Sequence, residues 1–423
     1  MSYCVSGNES MKPGLWSRRY ATLFFVWLTC GSFYLCRLNI SAVIPLVMED
    51  LKLSHFRVGF IMSGFFIAYA LSLVPAGYLS DRFGSKRVIT IGGLLSALSN
   101  FFFSRSTRLY HFFSFQILNG ISQAGVGGAS IKLVGDWFPK SGRATALGVL
   151  FSCVPAFTVI SYWLSSFLGE SFGWRSAFFV PFVILSCMAL ICFRVIRDSA
   201  EDEQSTQTGK DKGSDFPAST LSAASIKTEI LSNRPLWLLG ACLGGVTFIG
   251  YTYLMWLPTF LFETFDITII KAGMFSSIYP LLGIPARFTI GWICDFYFHS
   301  RKKILIITAL IGVTILCFIL SNVSSFLWTI LILSCIGFLV QLTVPLIFAL
   351  QTDVTPRRFI STGASFVNGI GSIGSIVAMV GPGFIIDMFH SYQVLFMILS
   401  GAALGAAISV FFVPQGKELR SEL

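Results

Sequence analysis

Stretches of roughly 20 predominantly apolar residues recur along this chain between short charged or turn-forming breaks, and that recurrence constrains the fold more than anything else in it. Twelve such runs are read, at about 20–46, 57–80, 87–105, 110–135, 143–167, 175–196, 235–259, 271–294, 303–321, 325–350, 361–387 and 392–413. A segment of that length crosses the hydrocarbon core as a helix, the one open-chain structure that pairs its own backbone groups there. Composition agrees, with 54% hydrophobic and 12% charged residues, where soluble chains carry about a quarter charged. The expectation is an all-α, multi-pass membrane protein whose partner is the lipid bilayer.

One long hydrophilic segment interrupts the series. Residues 197–234 begin "RDSAEDEQSTQTGKDKGSD", too polar to bury a core. They divide the chain into a tail (1–19), six spans (20–196), a linker (197–234), six spans (235–413) and a second tail (414–423). Within the linker, "TLSAASIKTEILS" (220–232) suits either an amphipathic surface helix or a flexible connection.

The formal charge of +10 could suggest nucleic acid, but its distribution argues otherwise. With the N-terminus cytoplasmic, 21 Lys and Arg fall in cytoplasmic segments, six in outer loops and three within spans. That asymmetry follows the positive-inside rule and accounts for the charge with no nucleic-acid partner. Both termini and the linker are then cytoplasmic, in a plasma or bacterial inner membrane. The ten cysteines lie almost entirely in apolar runs without a CxxC, which reads as small buried hydrophobes. No cleavable signal peptide is read: the first run follows Arg18 and Arg19, exceeds a signal core in length and lacks an A-x-A site.

The halves repeat each other. "GYLSD" (77–81) matches "GWICD" (291–295) at an offset of 214; Asp136 and Pro139 match Asp353 and Pro356 at 217; and "FGWRSAFF" aligns with "FHSYQVLF", again at 217. Three matches in one order predict two duplicated six-helix bundles in parallel orientation, related by a pseudo-two-fold axis.

"GYLSDRFGSKR" (77–87) fits the pattern G-x-L-x-D-R-x-G-x-K/R-R between spans 2 and 3. Here the chain resembles the major facilitator superfamily, since motif, position and span count agree. The resemblance implies that Gly77, Asp81, Arg82, Gly84 and Arg87 steady one state of a rocking cycle. Physically, Gly77 would permit close helix approach, Asp81 would face the positive end of a neighbouring helix, and Arg82, Lys86 and Arg87 would hold the loop cytoplasmic. The second copy keeps Gly291, Asp295 and Arg301 but has Phe296 and Phe298 where the first has Arg82 and Gly84, which predicts a weaker gate. "FYLCRLNISAVIP", "GFFIAYAL", "GDWFPKSGRATALG", "FGWRSAFF" and "YLMWLPTFL" are similar to one branch, the anion:cation symporters and their organophosphate-antiporter neighbours.

Ionisable residues inside spans are costly and are functional candidates by default. Three are read here: Arg37, Lys132 and Arg287. Arg37 shares a helix stripe with Tyr34 and Ser41 and lies about 12 Å inward of Pro45, too deep to snorkel comfortably. Its planar fork suits a carboxylate or phosphate, and in the branch resembled the matching arginine belongs to the central anion site; a structural partner such as a carbonyl cluster is the other reading. Lys132, four residues before Asp136, fits either the path or a surface ion pair. Arg287, after Pro285, fits anion contact or structural pairing equally.

No carboxylate is read at mid-membrane. Many proton symporters of the branch carry a span-4 glutamate where this chain has Gln123, which cannot titrate. Tyr69, Asn119, Gln123, Tyr251, Tyr253, Gln341 and Asn368 complete a candidate pocket, although each could equally bond across helices as structural glue.

The expected function is secondary active transport of a small organic anion, carboxylate or phosphate ester, by alternating access, with a proton or sodium ion as symported partner or by anion exchange. The alternative is a transporter-like sensor that binds an anion without moving it; the short tails offer it no output domain. No HExxH, acid pair or nucleophile–base arrangement marks an enzyme, no cofactor motif is present, and a monomer is expected.

Overall fold

The computed structural model describes residues 13–138, 140–198, 230–286, 302–355 and 360–414, with all regular structure there helical. Eleven helical stretches are long and apolar enough to cross a membrane. The first six spans run Pro13–Leu51 (span 1), His55–Phe83 (2), Ser85–Arg105 (3), Leu109–Gln123 with Val126–Trp137 (4), Lys140–Phe151 with Cys153–Phe172 (5) and Ser176–Val195 (6). The second six run Arg234–Phe265 (7), Ile269–Ser276 with Ile278–Leu281 (8), Lys302–Leu320 (9), Phe326–Val354 (10), Ile360–Phe389 (11) and Tyr392–Phe411 (12). Span 4, expected as one helix, is in two pieces that meet at Ala124–Gly125, and it is not among the eleven. Arg287, Gly291, Asp295 and Arg301, and most of the linker, lie outside the described residues.

Local chemistry sets the helix ends. Ser54, Thr268 and Ser391 side chains accept from the first-turn amides of spans 2, 8 and 12, satisfying donors that no helical carbonyl can reach. Gly84, at φ 89°, ends span 2 and opens span 3 in a backbone conformation that side-chain-bearing residues rarely adopt.

The outer surface is apolar. Val74 is 82% exposed, Leu71 76% and Phe172 70%, a pattern that would drive aggregation in water and suits hydrocarbon.

Prolines inside the spans explain several long-range contacts. A proline lacks the N–H that would pair with the carbonyl four residues earlier, and in a membrane another helix must supply the donor. Pro258 frees Leu254 O, which accepts from Ser41 Oγ at 3.0 Å and from the Tyr162 hydroxyl. Pro382 frees Ala378 O, which accepts from Trp256 Nε1 at 3.2 Å. Pro181 frees Ala177 O, which accepts from Asn39 Nδ2 at 3.0 Å.

The Pro258 contact joins the two bundles, and others lie beside it. Ser41 Oγ also donates to Met255 O at 2.8 Å, Trp163 Nε1 to Ser277 Oγ at 3.1 Å, and Ile270 N to Glu170 Oε2 at 2.8 Å. These residues occupy the half of the bilayer away from the linker, the far side hereafter. The far side is closed in this state.

Candidate functional site

Span 1 is a 39-residue helix, longer than the bilayer core requires. Arg37 lies about 4.5 Å along the axis from the midpoint between Arg19 and Glu49, the described charges that bracket its apolar run. The guanidinium is therefore central.

Three aromatic rings surround it. The guanidinium carbon is 4.8 Å from the ring centre of Tyr34, 4.9 Å from Phe65 and 5.0 Å from Tyr69. Ring faces are electronegative, so this cage holds a cation without neutralising it. Arg37 Nε donates to Gln123 Oε1 at 3.0 Å. Among the described residues no carboxylate pairs with Arg37. Arginine presents five N–H donors, so donors remain for a ligand.

Gln123 is itself fixed. Its Nε2 donates to Asn119 Oδ1 at 2.9 Å, Ser96 Oγ at 3.0 Å and Phe33 O at 3.4 Å. A backbone carbonyl can only accept, so the amide's oxygen must face Arg37. Asn119 in turn donates to Cys36 O at 2.9 Å and accepts from Ser96 Oγ at 2.6 Å. The four-residue spacing of Asn119 and Gln123 puts both on one face of span 4. The helix breaks just after that face, at Ala124–Gly125.

Two cavities meet at Arg37. One, about 210 Å³, lies between the bundles and is lined by Tyr34, Arg37, Thr158, Thr247, Tyr251, Tyr279 and Gln341 among others. The other, about 70 Å³, lies within the first bundle and includes Tyr34, Arg37, Tyr69, Gln123 and Ser130. The larger volume is below the drug-sized range of about 300–1,000 Å³ and suits a small solute. Its hydroxyls, amide and single described cation could orient a polar anion.

The structure sorts the expected residues. Tyr34, Arg37, Tyr69, Gln123, Tyr251 and Gln341 border these cavities. Asn119 stands behind Gln123 as a buried support, 3% exposed. Tyr253 turns away: it is 2% exposed, its hydroxyl lies 3.3 Å from Cys317 Sγ, and its ring packs on Tyr279 and Phe396. The cause is helical geometry, since residues two apart point to nearly opposite sides, so Tyr251 and Tyr253 do not share a cavity. Asn368 is exposed and Lys132 half-buried, and neither borders either of these two cavities.

Tyr279 was not anticipated from sequence. It is 1% exposed, borders the larger cavity, and its hydroxyl has no hydrogen-bond partner among the described residues, a costly condition for a buried polar group that a bound solute would relieve. The signal available was "SSIYPLLG", a tyrosine beside a proline in a span.

The loop residues also differ from expectation. Among the described residues nothing lies within 4 Å of where a Cβ on Gly77 would stand. The Asp81 side chain lies outside the described residues. The acid seen at the N-terminus of span 3 is Asp198, whose Oδ1 accepts from Lys86 N at 2.7 Å, and whose carboxylate fills the space a Cβ on Gly84 would need. Arg82 is exposed over the Phe83 ring. Arg87 edges an outward-facing apolar groove of about 400 Å³ between spans 2, 3 and 4.

Comparison with known proteins places this architecture. The chain is 24% identical to the probable galactarate/D-glucarate transporter GudP of Bacillus subtilis (strain 168), over 93% of this chain and 91% of that protein. It is 25% identical to the glycerol-3-phosphate transporter of the same organism, over 94% and 93%. In structure it resembles a bacterial homologue of the human lysosomal transporter Spinster in an inward-facing, occupied conformation, with a TM-score of 0.73, 16% identity and coverage of 96% and 95%. Residues 26–379 match the Major Facilitator Superfamily, and the chain belongs to that family.

Proposed function

We propose that the protein is a secondary active transporter of a small hydroxylated organic anion, a sugar-derived carboxylate or a phosphate ester, which it moves by alternating access. The carrying observation is Arg37: a caged guanidinium at mid-membrane, without a carboxylate partner among the described residues, on a cavity bounded by both bundles. The anion's charge would be met by the guanidinium fork. Its hydroxyls would be met by Tyr251, Tyr279, Thr158, Thr247 and Gln341. The relatives are named as transporters of sugar diacids and of glycerol 3-phosphate, which supports an anion of this class and movement over sensing.

The mechanism follows from where the two bundles touch. In this state Ser41, Tyr162 and Trp163 hold the far side shut, so access to the cavity would be from the linker side. A bound anion that ties Arg37 of one bundle to tyrosines of the other lowers the free energy of states that close around it, by its differential affinity for them. Rocking then exposes the same site to the other side. With the linker cytoplasmic, as the basic-residue asymmetry indicates, this state faces inward. The branch allows co-transport of a proton or sodium ion, or anion exchange. A single chain supplies both halves of the site, so a monomer suffices, in a plasma or bacterial inner membrane.

Counterflow in proteoliposomes tests this. Vesicles loaded with unlabelled hexarate, hexuronate or glycerol 3-phosphate should accumulate the matching labelled anion, and vesicles loaded with a neutral polyol should not. Binding without exchange for every anion would make the protein a sensor and overturn the proposal.

A further inference from the structure

One charged cluster lies outside the cavities and joins the bundles. His55 is the first residue of span 2 and precedes the apolar run at 57–80, which puts its ring at the far water interface. Its Nδ1 is 2.9 Å from Asp387 Oδ1 on span 11, and its Nε2 is 3.0 Å from Glu263 Oε1 on span 7. The Tyr392 hydroxyl, on span 12, donates to Glu263 Oε2 at 2.6 Å. Trp256 lies alongside, its ring centre 6.1 Å from the imidazole. The Asp387 carboxylate also takes the His55 and Phe56 amides, at 3.1 and 2.8 Å, and so caps span 2 from the opposite bundle. Backbone contact is tight there: a Cβ on Gly383 would come within 2.7 Å of the His55 carbonyl carbon.

The ring's geometry specifies its protonation. A neutral imidazole has one N–H and one lone pair, yet both nitrogens here face carboxylate oxygens at hydrogen-bond distance. Only the imidazolium donates to both. With the proton lost, one nitrogen would present a lone pair to a carboxylate, and only one of the two carboxylates would keep a ring donor. The His55 side chain is 17% exposed, and each carboxylate residue 28%, so protons can reach it from the far side.

We propose that His55, clasped by Glu263 and Asp387, is a proton-operated latch that holds the far face of the transporter shut when that face is acidic. It goes beyond the anion site and rests only on the alternating-access part of the reading above. Opening the far side separates span 2 from spans 7 and 11, which leaves the ring to water. The closed face therefore binds the proton more tightly than the open one, and by linkage the proton favours closure. The bias is full below the ring's ordinary titration near pH 6.5 and is lost as pH rises through the higher titration point of the closed state. The amide contacts to Asp387 do not titrate, so a residual tendency to close remains at high pH. The latch faces only the far side in this state, so the proton it binds regulates the cycle and is not carried across.

The test reads conformation without any anion, so failure of the substrate assignment leaves it intact. Spin labels on Thr107→Cys and Asn322→Cys, in exposed far-side loops of the two bundles, report their separation with the native cysteines replaced. From pH 5 to 8.5 the closed-to-open ratio of the parent should fall, by up to about tenfold per pH unit between the two titration points. His55→Gln should lose the pH response and shift toward open. His55→Lys, a permanent cation, should stay closed throughout. A parent insensitive to pH, a His55→Gln protein with the parental response, or a His55→Lys protein that opens as the parent does, would each overturn the proposal.

Discussion

The two bundles meet at one cavity but bring different chemistry to it. The first places a charge there and fixes it with buried polar side chains: Arg37, then Gln123, then Asn119 and Ser96 in hydrogen-bonded sequence. The second brings neutral groups, Tyr251, Tyr279 and Gln341, and packs the neighbouring Tyr253 against a cysteine. The difference teaches that a duplicated fold need not duplicate its site. Affinity for charge would reside in the first bundle, and shape and hydroxyl recognition in the second.

Substitutions can break that division, beginning with the largest effect. Gln123→Glu would put a carboxylate about 3 Å from Arg37 Nε, an internal anion competing with the ligand. Binding of any transported anion, measured by titration calorimetry, should weaken at least tenfold, since a charged hydrogen bond is worth about 1.5–3 kcal/mol. Unchanged affinity would place the charge site elsewhere. On the other bundle, Tyr279→Phe removes one neutral hydroxyl. It should weaken the hydroxylated anion by about two- to tenfold, corresponding to about 0.5–1.4 kcal/mol, and leave an anion without hydroxyls unaffected.

Smaller effects are expected away from the cavity. Ser41→Ala deletes a donor to the carbonyls at Leu254 and Met255. Interhelical hydrogen bonds of this kind average about 0.6 kcal/mol in membranes, so the closed-to-open ratio read by the same spin labels should fall about threefold. Tyr253→Phe should leave anion affinity unchanged within error. If it matched Tyr279→Phe, the separation of these two tyrosines would be wrong.

Much of this was legible in the sequence. Span count, the two-bundle repeat and the isolated arginine follow from hydrophobic length and the cost of a buried charge. Asn119 and Gln123 could be paired from their spacing, but which of them touches Arg37 depends on how spans 1 and 4 are rotated, which no local pattern records. Tyr253 shows the opposite failure, because the two-residue spacing from Tyr251 already argued that both could not face one cavity. The prolines carried more than their role as helix breakers. The residue four before each marks a freed carbonyl, and at Leu254 that carbonyl becomes a bundle-to-bundle contact. The break at Ala124–Gly125 sits in a glycine-containing stretch, "SQAGVGG", whose apolar length alone reads as a continuous span. His55, which no sequence motif marks, gains its meaning from two carboxylates more than 200 positions away.

The central claim is that Arg37 is the counter-charge of a transported anion. The direct measurement is equilibrium binding of a labelled hexarate or glycerol 3-phosphate, whichever the counterflow identifies, to the purified parent and to Arg37→Lys. Lysine keeps the charge but loses the planar fork and its bidentate geometry. The account predicts affinity at least tenfold weaker for Arg37→Lys, in a protein whose far-side label distances match the parent's; parental affinity in Arg37→Lys would contradict it.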